Sequence, residues 1–214
     1  MTKPLNAPPP AVPKQKRSLE SQEAILLATE RLLTREGGND FTLLDLSRES
    51  GMSVGGIYRR FVDKQGLMLV MQQRLNERML QDYTEFAREA SQSAANLKQL
   101  VPVLIAGMTE LLRRHAAVLR KIVEESMHHP EMAQNGIQIY HAHLALFKRD
   151  LLRYRAEIAH DDPEYAIEFC FNAVYELVAS HLAFGRGSTV TEQDWPRLLA
   201  NLQRLCLNFL AYPL

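Results

Sequence analysis

Cysteine is scarce in this 214-residue sequence, which has only Cys170 and Cys206. Two cysteines make neither a disulfide framework nor a zinc site. Both sit inside apolar helical patterns, where free thiols act as small hydrophobes. An excess of charge of one sign is also absent: 25 Lys and Arg face 25 Asp and Glu. Attraction to a polyanion must then come from a local patch. No run approaches the ~18 consecutive apolar residues of a membrane span, and residues 1–17 hold no apolar segment of a secretory signal. The expected compartment is the cytoplasm, with no membrane partner. A phosphate-binding glycine loop, a G-x-S-x-G elbow and an HExxH pair are all missing, so neither catalysis nor a cofactor is expected. Histidines occur as His128-His129 and as His141 with His143. Residues two apart on a helix point different ways, however, and no metal site is expected.

Apolar residues make up 46% of the chain and charged residues 23%, which suffices for a sizeable core. Residues 1–17 carry prolines at 4, 8, 9, 10 and 13 and end on Lys14, Lys16 and Arg17. They read as a disordered basic tail, able to touch phosphates or a minor groove. From Ser18 onward every segment has helical periodicity and none alternates like a strand. The first helix is expected over about Ser18 to Glu36, with Ile25, Ala28, Leu32 and Leu33 inward and a stop at Gly37-Gly38-Asn39-Asp40.

Residues 42–67, TLLDLSRESGMSVGGIYRRFVDKQGL, carry the most information. Thr42 opens a short helix with Asp45 as its capping partner, Gly51 ends it, and Ser53 caps the next. That second helix starts on small residues, Val54-Gly55-Gly56, followed by Tyr58, Arg59 and Arg60. A helix that enters a major groove needs its first turn free of bulk. Each glycine disfavours the helix by about 1 kcal/mol relative to Ala, a cost that close approach to DNA or another helix offsets. Ser53 places amides and a hydroxyl at a helix start, suited to phosphate. Between residues 14 and 64 there are nine basic and eight acidic residues, so binding rests on geometry and a few contacts, with a modest salt dependence.

These residues resemble the TetR family. The matching positions are Thr42, Leu46, Ser47, Gly51, Met52, Ser53, Gly55, Ile57, Tyr58, Phe61, Asp63, Lys64 and Leu67, with Ile25, Leu26, Ala28, Leu32, Leu33 and Gly37 in the first helix. The likeness covers about residues 18–70. It departs where Gly56 replaces Thr or Ala, where Ser47 and Ser50 replace alanines at the helix crossing, and at Gln65-Gly66. The resemblance implies an all-α fold: a three-helix helix-turn-helix DNA-binding domain over 18–66 and a larger helical ligand-binding and dimerisation domain over 67–214. By resemblance Thr42, Ser53, Tyr58 and Lys64 contact phosphates, while Val54, Gly55, Gly56 and Arg59 face the groove. Lys14, Lys16 and Arg17 join them as the basic arm.

The second half reads as about five longer helices. One is expected from Asn96 toward His128, with Pro102 and Gly107 predicting a late start or kink, and one over roughly 131–159. Asp161-Asp162-Pro163 starts a third, Glu164 to Phe184, which is apolar on nearly every side. Gly185 and Gly187 end it, and a last helix begins at about Thr191 or Asp194. Those last two helices carry more apolar surface than one subunit can hide. The expected homodimer interface is Phe169, Cys170, Val174, Leu202, Cys206 and Phe209. Composition picks out Met108, Leu111, Met127, His128, Phe147, Phe171, Asn172, Tyr175 and Glu176 as lining an effector pocket, and an acidic anchor there would favour cationic or hydroxylated ligands. The expected function is that of a homodimeric repressor on a palindromic operator, released by a small molecule. An activator, a constitutive DNA organiser and a helical interaction protein remain alternatives.

Overall fold

The computed structural model describes residues 14–35, 41–182 and 194–212, and among these there is no strand. The chain divides into two compact units, Met1–Leu67 and Met68–Leu214.

The first unit holds α1 (Lys14–Thr34), α2 (Leu43–Ser50), α3 (Val54–Tyr58) and the start of α4 (Lys64–Ser93). Its core is the expected stripe: Ile25, Ala28, Leu32 and Leu33 of α1 are buried with Leu46, Ile57 and Phe61. α1 begins four residues earlier than its periodicity suggested, so Lys14, Lys16 and Arg17 form its first turn. Pro13 directly precedes it in the sequence, and proline is compatible with a helix start. The Gly37–Asp40 stop lies outside the described residues. α2 opens with a full capping box: Asp45 N–H donates to Thr42 Oγ1, and Thr42 N–H donates to Asp45 Oδ2 at 2.9 Å. It closes on Gly51 in the left-handed region, φ 68°, which a residue without a Cβ adopts at least cost.

In the second unit α4 continues, followed by α5 (Leu97–Arg114), α6 (Ala116–Ser126), α7 (Pro130–Leu152), α8 (Pro163–His181) and α9 (Trp195–Ala211). α5 packs against α8 and α9, α8 against α7 and α9, and α6 against α7. The core between them includes Leu100, Leu104, Ile105, Phe147, Ile167, Phe171 and Cys206. Two expectations fail here. The single helix from Asn96 toward His128 breaks at His115, whose backbone leaves helical geometry (φ −100°, ψ 8°). Its buried imidazole sits with Nε2 3.8 Å from Asp82 Oδ2. Pro102 and Gly107, by contrast, lie inside an uninterrupted α5. The helix expected over 131–159 ends at Leu152, and a single 3-10 turn, Arg155–Glu157, follows it.

Starts are set by local side chains. Asn96 accepts from Gln99 N–H at 3.0 Å, and Gln99 Oε1 accepts from Ala95 N–H at 2.8 Å, a displaced capping box. Asp162 Oδ1 accepts from both Glu164 and Tyr165 N–H at 3.1 Å ahead of α8, whose first residue is Pro163. Phe184, Gly185, Gly187 and Thr191, expected around the end of α8 and the start of α9, lie outside the described residues.

Candidate functional site

Two places in the molecule collect polar and charged groups that packing alone does not explain. The first is the α2–α3 segment. Its turn is built by the two serines that depart from the family pattern. Ser47 Oγ donates to Met52 O and Ser50 Oγ to Leu46 O, both at 2.6 Å, while Met52 N–H donates back to Ser50 Oγ at 3.3 Å. Alanines could make none of these bonds. The serines therefore fix the angle at which α3 leaves α2.

α3 is only five residues long and presents Gly55, Tyr58 and Arg59 to solvent, with its cap Ser53 also exposed. Val54 is half-buried, and Ile57 and Phe61 are core. Gly56 requires a correction: it is buried and does not face outward with Gly55. A methyl group there would stand 3.1 Å from Ser53 Oγ and 3.6 Å from Met52 Cε, whereas one on Gly55 would meet nothing within 4 Å. Successive residues of a helix lie about 100° apart, so the two neighbouring glycines serve different faces. Ser53 Oγ accepts from Gly56 N–H at 3.1 Å, which leaves its hydroxyl proton free to donate.

Thr42 is used differently. Its hydroxyl donates to Asp45 Oδ2 at 2.6 Å, and this bond together with the Thr42 N–H holds the Asp45 carboxyl below the usual range. A phosphate at Thr42 would have to take the hydroxyl proton from that carboxylate. Asp63 accepts from Gly66 N–H at 2.7 Å at the start of α4, and beside it the Lys64 ammonium lies 5.0 Å from the Phe41 ring centre. Lys16 and Arg17 are exposed on the first turn of α1, so they project from a helix and not from an extended arm.

Three acids of this unit, Asp45, Glu49 and Asp63, are bound internally. Asp45 pairs with Arg48 at 3.6 Å and Glu49 with Arg31 and Arg35, while Asp63 is a helix cap. Lys16, Arg17, Arg59 and Lys64 make no ion pair among the described residues. A nearly neutral segment thus shows solvent these four cations against the exposed acid Glu20, an imbalance that the charge count alone could not reveal.

The second place is a cavity of about 120 Å³ inside the second unit, lined from α4, α5, α6, α7 and α8. Of the predicted lining residues, Met108, Leu111, Phe171 and Tyr175 are there. Phe147 is buried behind it, its ring centre 5.6 Å from that of Phe171. Asn172 is engaged by the Tyr140 hydroxyl. Met127, His128 and Glu176 are exposed and do not line the cavity. Met127 and His128 follow the end of α6, where the chain turns outward before α7. An acidic anchor is absent as well, since Glu168 is drawn to Lys148 at 3.3 Å.

The lining residues missing from the sequence reading are mainly on α4 and α7: Gln72, Asn76 and Tyr83, and Ile139, Tyr140 and His143. A signal did exist. Gln72 and Asn76 are four residues apart beside the Met71, Leu75, Met79 stripe, and polar groups at core-facing positions need a reason. Gln72 Nε2 donates to Met132 O at 3.0 Å, and His143 Nδ1 bonds Ile139 O at 2.9 Å. Burial lowers the His143 pKa, outweighing the opposing effect of that bond, so the ring is neutral at pH 7. Tyr140, Phe171 and Tyr175 form an aromatic cluster, with Phe171 and Tyr175 near parallel and Tyr140 edge-on to both.

The predicted dimer residues divide. Cys170, Val174, Leu202 and Cys206 are buried within the subunit, so their assignment to an interface is corrected: they join α8 to α9. Each thiol lies 3.9 Å from the other residue's carbonyl oxygen. The Cys206 thiol and burial together push the Cys170 thiol pKa far up, leaving it protonated and unreactive. Phe169 is 41% exposed, and Phe209 packs against it with ring centres 4.8 Å apart. On α8, Tyr165, Phe169 and Leu177 make an outward stripe at helical spacing, and α9 adds Leu205.

Among the described residues, no three or more His, Cys, Asp or Glu are grouped to hold a metal ion, and no helix is long and apolar enough to cross a membrane. None of the curated protein sequences matches the chain significantly. The family model for bacterial regulatory proteins of the tetR family matches residues 25–71. Solved structures agree over nearly the whole chain. A protein assigned to the TetR family of regulators from Mesorhizobium loti is 18% identical with a TM-score of 0.69, covering 92% of this chain and 99% of its own. GusR of Salmonella enterica is 20% identical with a TM-score of 0.67, covering 90% and 96%. FadR of Bacillus halodurans, a regulator of fatty acid degradation, is 16% identical with a TM-score of 0.65, covering 87% and 94%. Residues 25–71 thus match the model of the tetR family of bacterial regulatory proteins, and the described helices share the fold of solved TetR-family regulators.

Proposed function

We propose that the protein is a homodimeric repressor whose two α3 helices enter successive major grooves of a palindromic operator, and that a small molecule in the second unit's cavity releases it. The observation that carries the DNA reading is the outward face of α3. Ser53, Gly55, Tyr58 and Arg59 are exposed together on a helix held by a capped, serine-braced turn, while Asp45, Glu49 and Asp63 are bound internally. In this reading Gly55 lets the backbone approach base edges, Arg59 reaches them, and Ser53, Tyr58 and Lys64 contact phosphates. Thr42 joins the set only if phosphate displaces Asp45. Lys14, Lys16 and Arg17 add positive charge from the first turn of α1.

Dimerisation through the outward stripe of α8 and α9 covers the apolar surface that Tyr165, Phe169, Leu177 and Leu205 expose in one subunit. Release requires the effector to bind one arrangement of the dimer more tightly than the other. Equal head-to-head separation with and without effector would remove the spacing mechanism. Mobility shifts with DNA upstream of the protein's own gene, at two salt concentrations, test the DNA reading. Specific binding weakened by salt and lost in a Tyr58→Ala, Lys64→Ala double variant supports it. A full-length protein with no sequence-specific affinity for any DNA, tested by selection from a random library, would overturn it.

A further inference from the structure

We propose that the cavity in the second unit takes an uncharged, single-ring compound carrying two or more hydrogen-bond donors, hydroxyl or N–H groups. The inference rests on the effector-release reading for its biological meaning, but its chemistry comes from the cavity itself.

Size comes first. The space is about 120 Å³, close to the ~150 Å³ of a buried apolar cavity that takes benzene. A long acyl chain or a nucleotide conjugate does not fit such a volume. Shape follows from Phe171 and Tyr175, near parallel with ring planes 11° apart, and from Tyr140 edge-on to them. Such a wall favours another flat ring.

Charge is excluded next. No Lys, Arg, Asp or Glu lines the cavity. An ion that entered would lose its hydration with nothing of opposite sign to meet it. Burial lowers the pKa of His143, the one imidazole of the lining, and favours its neutral form.

The polarity of the ligand follows from what the lining lacks. Gln72 Oε1, Asn76 Oδ1, His143 Nε2 and the Tyr83 hydroxyl are buried polar atoms of the lining with no hydrogen-bond partner. Two of the four are fixed as acceptors, while the Tyr83 hydroxyl can take either role. The carbonyl of Met132 must receive an N–H, so the Gln72 amide nitrogen points to it and the oxygen is left over. The carbonyl of Ile139 likewise requires the proton on His143 Nδ1, which leaves a lone pair on Nε2. Buried acceptors without partners are rare in folded proteins and call for an explanation. A ligand that donates to them supplies it, whereas one with acceptors alone can meet only the Tyr83 hydroxyl and leaves Gln72 and His143 unsatisfied.

The test is calorimetric titration of the full-length protein with four single-ring probes: resorcinol, toluene, benzoate and benzylamine. Resorcinol is expected to bind at least about a hundredfold more tightly than toluene, because a site built for donors rejects the analogue without them. Benzoate and benzylamine are expected not to compete. In His143→Leu the preference for resorcinol over toluene should shrink, and if that variant does not fold, the probe series on the natural protein decides alone. Equal binding of toluene, preference for either ion, or no binding of any probe at millimolar concentration overturns the proposal. The same probes in the mobility shift separate the two readings. If resorcinol binds selectively yet leaves the operator complex intact, effector release falls and the ligand class stands.

Discussion

Glu49 of α2 is clamped to Arg31 of α1, with Oε1 2.7 Å from the guanidinium Nε, while its other oxygen accepts from Arg35 at 2.6 Å. One carboxylate thus ties two turns of α1 to α2, the helix that leads into α3. Arg31 and then Arg35 lower the Glu49 pKa below its ordinary 4.5. A depressed carboxylate adds stability that is present above the unfolded-state pKa and is lost as pH falls through the folded one. The expected outcome is that Glu49→Gln lowers the melting temperature at pH 7. The gap to the natural protein should then narrow as pH falls below 4.5, which thermal unfolding monitored by circular dichroism across pH 3–7 would check. A gap independent of pH would mean that Glu49 acts through packing.

The paired glycines of α3 should respond oppositely to the same change. Gly55 has open space for a methyl and lies on a helix, so Gly55→Ala is expected to stabilise the protein by about 0.4–1 kcal/mol. It should nonetheless weaken operator binding, because under the proposed function the added carbon stands where a base edge or phosphate approaches. In Gly56→Ala the new carbon presses on Ser53 Oγ at 3.1 Å and disturbs the cap, offsetting the propensity gain. Denaturation and mobility shifts on both variants separate these effects. Unchanged operator binding by Gly55→Ala would remove the close approach.

Gly107 is the glycine that packing demands. A methyl there would sit 2.0 Å from the Phe86 ring, well inside any real contact. Gly107→Ala is therefore expected to destabilise the second unit by about 1–3 kcal/mol, the usual cost of overpacking. Adding Phe86→Leu should recover part of it, and urea denaturation of the single and double variants measures the coupling.

How much of this could be read from residues alone depends on the range of the interaction. The capping box at Thr42 and Asp45, the left-handed Gly51 and the α1 stripe are set within a few residues, and periodicity and turn chemistry revealed them. The Gly107 environment was not legible, because Phe86 reaches it from another helix. Pro102 and Gly107 read locally as a kink, yet packing keeps α5 continuous, and the break falls at His115. The cavity was half legible: Met108, Leu111, Phe171 and Tyr175 were chosen for their adaptable surfaces. Gln72 and His143 matter for which of their atoms lacks a partner, which only the assembled helices decide. The same limit misplaced Cys206 and Leu202. An apolar helix shows that much surface needs covering, but only α8 packed on α9 shows which side is already covered.

That division of the α8 and α9 surfaces yields the last prediction. Phe169 and Leu177 are 41% and 48% exposed in the subunit, whereas Leu202 is 2% exposed between its own helices. Charging the outer pair, in Phe169→Glu with Leu177→Glu, is expected to leave a folded monomer that sedimentation velocity resolves from the dimer. Its melting temperature should no longer rise with protein concentration, because a linked association equilibrium would be gone. Leu202→Ala should behave differently, lowering stability by about 2–5 kcal/mol while leaving the mass of the folded species unchanged. Operator affinity should fall steeply in the charged variant, since a monomer places one α3 in one groove and loses the gain from joining two half-sites. If the charged variant still sediments as a dimer, the subunits meet elsewhere, and the outward stripe on α8 needs another partner.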